Sequence, residues 1–211
     1  MKTVANIAKL EALYPPPVPT SLTKVSAHLT PHYKAWIGAS RFCIVSTAGP
    51  EGTDATPRGD DGPVVAVQDD VTLLMPDWAG NNRLDTLRNI VRDGRVSLLF
   101  LVPGSTTVVR VNGHAVLTDD TDLRQRFARG DMLPRTVVVV SVTEVYFQCA
   151  KAVMRAGIWG RDDADGLPSA GDFLAEASAG AQGGAGYDAN YQARAQKIMW
   201  QHDEDPKPPH K

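Results

Sequence analysis

Arg58 and Arg83 are the residues of this sequence best placed to do chemistry. Arg58 sits in the stretch Asp54-Ala55-Thr56-Pro57-Arg58-Gly59-Asp60, and Arg83 closes Met75-Pro76-Asp77-Trp78-Ala79-Gly80-Asn81-Asn82-Arg83. Each stretch borders an apolar, β-type run and carries arginine, glycine and small polar groups, where backbone N–H groups are free to meet a ligand. The second runs straight into a helix-period segment, residues 84–91. A turn feeding a helix N-terminus presents unpaired N–H donors and the positive end of the helix dipole, a ready place for an anion such as phosphate. A guanidinium adds paired donors that suit phosphate better than an ammonium does. Taken singly, each arginine also fits a solvated turn, and a wider pattern has to decide.

The other reactive side chains offer less. Cys43 and Cys149 lie far apart and match no metal-ligand spacing, which points to a reducing compartment without a disulfide framework. Cys149 stands near Lys151, but no histidine is close in sequence, so it reads as a buried thiol at a strand end rather than a nucleophile. His28 and His32 have helix-face spacing, yet Pro31 interrupts the helix and no Glu or Cys partners stand nearby. No metal site is expected. A P-loop pattern is absent, and His114, alone in a strand, reads as structural.

The elements that must position the two arginines can be taken in order. Residues 5–14 carry Ile7, Leu10 and Leu13 at helical spacing and stop at Pro15-Pro16-Pro17. Residues 31–39 read as a second helix, with Thr30 as cap, Pro31 in the first turn, and Tyr33, Trp36 and Ile37 on one face. Strands are expected at 41–47, 64–67, 71–75, 96–102, 106–117 and 136–147, with 57–60 a turn and 68–70 a hairpin connection. The run 96–102 is apolar nearly throughout, the pattern of a strand buried on both faces. Gly113 predicts a bulge or a close backbone approach. Helices are expected over 82–92, 119–129, 150–156 and 187–200. Beyond Trp159 the chain turns rich in glycine and alanine, and the end from His202 reads as a frayed tail.

Six strands with short turns and brief helices fit a small, mostly antiparallel barrel better than a doubly wound sheet. The chain is 211 residues long, enough for one such domain with terminal additions: a helical brace over 1–40, the barrel over 41–160 and a partly helical extension over 161–211. A formal net charge of -2 argues against a nucleic-acid binder with a broad basic face, while arginines clustered between Arg58 and Arg95 suggest a local anionic ligand. No apolar run reaches membrane-span length, and the start lacks the basic and apolar regions of a signal peptide, so a cytoplasmic protein with no membrane partner is expected.

The order of motifs is familiar. Thr56-Pro57-Arg58-Gly59-Asp60 comes first, then Pro76-Asp77 with Gly80-Asn81-Asn82-Arg83-Leu84-Asp85-Thr86-Leu87-Arg88-Asn89-Ile90. After these come Leu99-Phe100-Leu101-Val102-Pro103-Gly104 and Arg110-Val111-Asn112-Gly113, and finally Cys149-Ala150-Lys151-Ala152 with Arg155 and Trp159. Together they resemble the FMN-binding split-barrel family of pyridoxamine phosphate oxidase-like proteins, in a bacterial branch of mostly unassigned substrate. The resemblance spans roughly residues 7–159, and five motifs in one order make it specific.

It implies a mostly β fold, a six-stranded antiparallel split β-barrel with peripheral helices. It also implies a homodimer with one FMN per subunit at the interface, and an oxidoreductase passing hydride through flavin N5 to or from a small molecule. By the same resemblance Arg58, Gly59, Asp60, Met75, Pro76, Asn82 and Arg83 hold the phosphate and ribityl chain, and Lys151, Arg155 and Trp159 lie near the flavin ring, partly across the dimer. With this order in view, the anion-binding reading of Arg58 and Arg83 outweighs the solvated-turn reading. Asp60 would bond ribityl hydroxyls or hold Arg58; Asn82 would cap the helix, touch the ligand, or both. Trp78 is either an exposed turn aromatic or a cover for the cofactor, and Trp159 either core packing or a flavin contact. Arg88, Arg92 and Arg95 read as a solvated helix face.

The sequence also departs from the oxidase proper. Pro63 stands five positions after Arg58 where that enzyme has lysine, Met75-Pro76 replaces its Tyr-Thr pair, and its C-terminal segment has no match. The resemblance therefore does not carry the vitamin-interconverting activity over. A non-catalytic flavin, haem or deazaflavin carrier of the same fold is the alternative, with His114 the one barrel candidate for a haem ligand.

Overall fold

A computed structural model describes residues 1–200 of the chain, so the expected frayed tail from His202 lies outside the described residues. Three helices open it: α1 (Ile7–Glu11), α2 (Pro19–Thr23) and α3 (Pro31–Gly38). Then come β1 (Phe42–Gly49), β2 (Gly52–Gly59), β3 (Ala66–Val67), β4 (Thr72–Asp77), α4 (Asp85–Arg92), β5 (Arg95–Leu101) and β6 (Val108–Thr118). The chain continues through α5 (Thr121–Gln125), β7 (Thr136–Gln148), α6 (Lys151–Ala156), α7 (Ala170–Ala177) and α8 (Ala185–Ile198).

The seven strands form one sheet in the order β2-β1-β5-β6-β7-β4-β3, and every neighbouring pair is antiparallel. The barrel class expected from the sequence is present with one strand more than the expected six. The extra strand is β2, which contains the Pro57-Arg58-Gly59 stretch read as a turn. Pro57 has no N–H to give a ladder, but β2 pairs with β1 alone, and an edge strand tolerates proline. The two edge strands, β2 and β3, are joined by residues 60–65. A connection that short reaches about 25 Å at most, whereas seven strands laid flat span about 29 Å. The sheet must curl, and the split of the barrel lies where its two edges approach.

Core residues alternate along the central strands: Cys43 and Val45 on β1, Val96, Leu98 and Phe100 on β5, and Val109 and Val111 on β6. On β5 only this face is fully buried; Ser97, Leu99 and Leu101 are half-covered, so the near-continuous apolar run overstated burial of its second face. Gly113 meets both expectations. The β6–β7 register shifts between Asn112 and Gly113, and a Cβ there would lie 2.1 Å from the Ser141 carbonyl oxygen.

The N-terminal region divides in two. Ile7, Leu10 and Leu13 remain exposed on and just after α1, so its periodicity buries nothing in the core. From Ser26 onward the chain joins the barrel: Ser26 pairs with Val145, and Leu29 and Ile37 belong to the core. Thr30 occupies the N-cap position of α3 but makes no side-chain capping bond.

Candidate functional site

One cleft of about 1480 Å³ opens at the split of the barrel. Its floor is the end of β2 and the start of the crossing segment, and its far wall is β4, the loop after it and the outer face of α4. Seven of the residues nominated from the sequence line it: Arg58, Gly59, Asp60, Met75, Pro76, Asn82 and Arg83. Lys151, Arg155 and Trp159 are not among its lining residues. They lie on or after α6, where Lys151 and Arg155 are exposed and the Trp159 indole N–H donates to the Ser105 carbonyl at 2.7 Å.

Arg58 is brought to the cleft by strand register, opposite Cys43 on β1. Its side chain is 29% exposed, and its guanidinium lies 3.6 Å from Asp77 Oδ1. Asp77 ends β4, next to the other edge of the sheet, so this ion pair crosses the split. Asp60 does not hold Arg58. Its nearly buried carboxylate accepts from Arg129 and from the Gly62 N–H. Burial, first, and a shared hydrogen bond with Asp61 push the Asp60 carboxyl above its ordinary range. Asp61, exposed, is held down to about 2, chiefly by its hydrogen bonds from Arg129.

On the opposite wall the Asn81 side chain accepts from the Arg83 N–H at 3.0 Å, and Asn82 takes a left-handed conformation with φ 57°. Asparagine is among the few non-glycine residues that adopt that region readily. Asn82 does not cap the helix, since α4 begins at Asp85 and Leu84 sits at its N-cap without a side-chain bond. The first turn of α4 thus keeps unsatisfied N–H donors beside the cleft. Arg83 is 76% exposed and pairs with Asp85 at 2.8 Å.

α4 is pinned from below. Thr86 Oγ1 donates to Asp54, and the Asn89 amide donates to Thr47 Oγ1 at 3.1 Å in a buried site. A Cβ on Gly49 would fall 2.2 Å from Asn89 Oδ1, so glycine there lets the helix seat against β1. The outer face then presents Leu84, Leu87, Arg88, Val91 and Arg92 to the cleft. Arg92 pairs with Glu51, as a solvated helix face would, whereas Arg95, paired with Asp93, opens β5 because α4 ends at Arg92. Arg88 has no carboxylate partner among the described residues and lines the cleft.

Trp78 also faces the cleft, and its indole N–H and the Thr136 hydroxyl are buried there without a hydrogen-bond partner among the described residues. Such a group left unpaired costs about 1–3 kcal/mol. Sequence reasoning missed Asp77 and the C-terminal residues Tyr191, Met199 and Trp200, which line the cleft, and Arg129, which bonds the cleft residue Asp60. Cys149 is exposed rather than buried, because β7 ends at Gln148 and the chain leaves the sheet there. His114 is exposed on β6 and does not line the cleft.

The family model described as pyridoxamine 5'-phosphate oxidase matches residues 29–149, more than half of the chain, and the protein belongs to that family. Among solved structures it is similar to HupZ of Group A Streptococcus, at 20% identity over 56% of this chain and 92% of that one, with a TM-score of 0.47. It is also similar to an FMN-binding protein from Syntrophomonas wolfei, at 12% identity over 55% of this chain and 83% of that one, with a TM-score of 0.42. An FAD-binding protein from Mycobacterium smegmatis shares 16% identity over 58% of this chain and 97% of that one, with a TM-score of 0.39. No curated protein matches the chain.

Proposed function

We propose that the cleft binds FMN and that the protein is a flavin-dependent oxidoreductase of the pyridoxamine 5'-phosphate oxidase family, working as a homodimer on a small molecule. The observation that carries this reading is the convergence of Arg58 and Arg83, from strand β2 and the β4–α4 loop, on one cleft. The residues present fit a phosphorylated ring compound. Arg58, Arg83 and Arg88 supply positive charge in its lining, and the first-turn N–H donors of α4, without partners inside the helix, lie beside it. A dianion at such a helix start gains on the order of 1 kcal/mol from the dipole alone. The Thr136 hydroxyl and the Trp78 N–H, beside Asp77, offer further polar partners for a ligand in the cleft.

FMN, when bound, supplies the hydride chemistry at its N5 atom. The chain's own residues bind and orient. Arg58 grips the phosphate while Asp77 holds its guanidinium across the split. Met75 and Pro76 back the cleft with buried apolar surface that excludes water. No side chain here is required as a strong base, since the ring carries the electrons. Lys151, Arg155 and Trp159 fall to the ring of a partner subunit's flavin in this reading, and the exposed apolar residues Met154 and Ile158 beside them are suited to a second copy of the chain.

Titration of the purified protein with FMN tests this reading. Binding with twin visible flavin bands is expected, and Arg58→Ala with Arg83→Ala should weaken it at least about a hundredfold at unchanged thermal stability, two charge-assisted contacts being lost. Unchanged affinity in the double variant would overturn the phosphate assignment. Multiple turnovers on mixing reduced protein with oxygen, quinones or nicotinamide dinucleotides would separate an enzyme from a carrier.

A further inference from the structure

The C-terminal extension touches the cleft through Tyr191, Met199 and Trp200. α7 and α8 pack on each other, with the Ser169 hydroxyl and the Gly171 N–H both donating to Asp188 at 2.5 and 2.8 Å. α8 itself buries no residue. Nevertheless Tyr191, Met199 and Trp200 form part of the cleft wall. The Trp200 ring stands edge-on to Trp78, centroids 5.6 Å apart and planes at 83°. Between them and the crossing segment lies Arg129, whose guanidinium is 4.0 Å from the Trp200 ring centre and 5.3 Å from that of Trp78. The same guanidinium donates to Asp60 and Asp61. A carboxylate pair, a cation and two indoles are thus linked in one chain that ties Trp200 to the cleft.

The cleft lining thus combines the cations Arg58, Arg83 and Arg88 with the aromatic rings of Trp78, Tyr191 and Trp200. That combination suits a planar heteroaromatic ring bearing an anionic tail. We propose that Trp200 is a ligand-contacting residue: the C-terminal extension is a wall that closes over the ring of the bound molecule, and Arg129 is the residue that positions it. The proposal rests on the flavin reading for the identity of that ring. A helix that buries no residue of its own and meets the cleft only through Tyr191, Met199 and Trp200 opens at low cost, so the wall governs release more than encounter.

Two measurements test it. Stopped-flow FMN fluorescence on the full chain should show release roughly tenfold faster in Trp200→Ala than in the parent, with association little changed, the worth of one good aromatic contact. Arg129→Met should release FMN faster in the same way, while Arg129→Lys, which keeps the charge, should recover part of the loss; a merely structural role would not split release from association. Hydrogen exchange at the backbone amides of residues 79–84, without ligand, should be faster in Trp200→Ala. Unchanged release in Trp200→Ala, or unchanged exchange, overturns the wall. If exchange responds while the parent protein ignores FMN, the flavin reading fails and the wall stands for another ring compound.

Discussion

Cys43 lies inside the sheet opposite Arg58, and burial pushes its thiol up to about 12 against a smaller pull downward from that guanidinium. Folding therefore favours the protonated thiol. The stability this contributes is complete below the ordinary range near 9 and is lost as pH climbs through about 12. Cys149, exposed past the end of β7, has no such protection. At pH 8 an aromatic disulfide reagent should label Cys149 alone in the native protein and both thiols after denaturation; native labelling of Cys43 would contradict its burial. At the same scale, the choice of ion pairs was not legible beforehand. Arg58 and Arg83 can be singled out because glycine, proline and asparagine flank them, but of the two roles open to Asp60, bonding ribityl hydroxyls or holding Arg58, the second is not met, since its carboxylate pairs with Arg129. Which carboxylate meets which cation depends on strands that only the curled sheet brings together. Asp77 reaches Arg58 across the split, and nothing local in either stretch says so.

Among the elements, β6 and β7 make the long central ladder, and its one irregularity is tight. Thr143 is the extra residue opposite the Asn112–Gly113 step, and its hydroxyl donates to the Asn112 carbonyl at 3.0 Å. A methyl group at Gly113 would meet the backbone of Ser141, not a side chain that could swing aside. Gly113→Ala should therefore lower stability by about 2–3 kcal/mol, read as a fall of several degrees in the thermal midpoint; an unshifted midpoint would mean the ladder yields. The strands with alternating or continuous apolar residues could be read from the sequence, because their burial pattern is written in period two. β2 escaped because its period-two pattern puts polar Asp54, Thr56 and Arg58 on the half-covered side, so no apolar residues mark it, and its proline is tolerated only at an edge. The C-terminal helix was legible as a helix, but a helix with no buried residue carries no stripe to say where it docks.

For the whole molecule, the apolar residues left uncovered bear on assembly. Val91 on α4 is 72% exposed beside the cleft, and Met154 and Ile158 are exposed around α6. Covering them with a second copy follows from the proposed shared flavin site, and sedimentation equilibrium at micromolar concentration is expected to give twice the chain mass. A monomer there would remove the role assigned to Lys151, Arg155 and Trp159 while leaving the Arg58–Arg83 site intact. The number of strands was nearly readable from the sequence and the closure of the sheet was not, because closure is a matter of span, not composition. Six residues link the two edges, and they also carry the carboxylates that anchor Arg129. The tether that keeps the mouth from gaping is thus also the mooring of its cover, so lengthening it by a few glycines would slacken both without altering any group that meets the ligand.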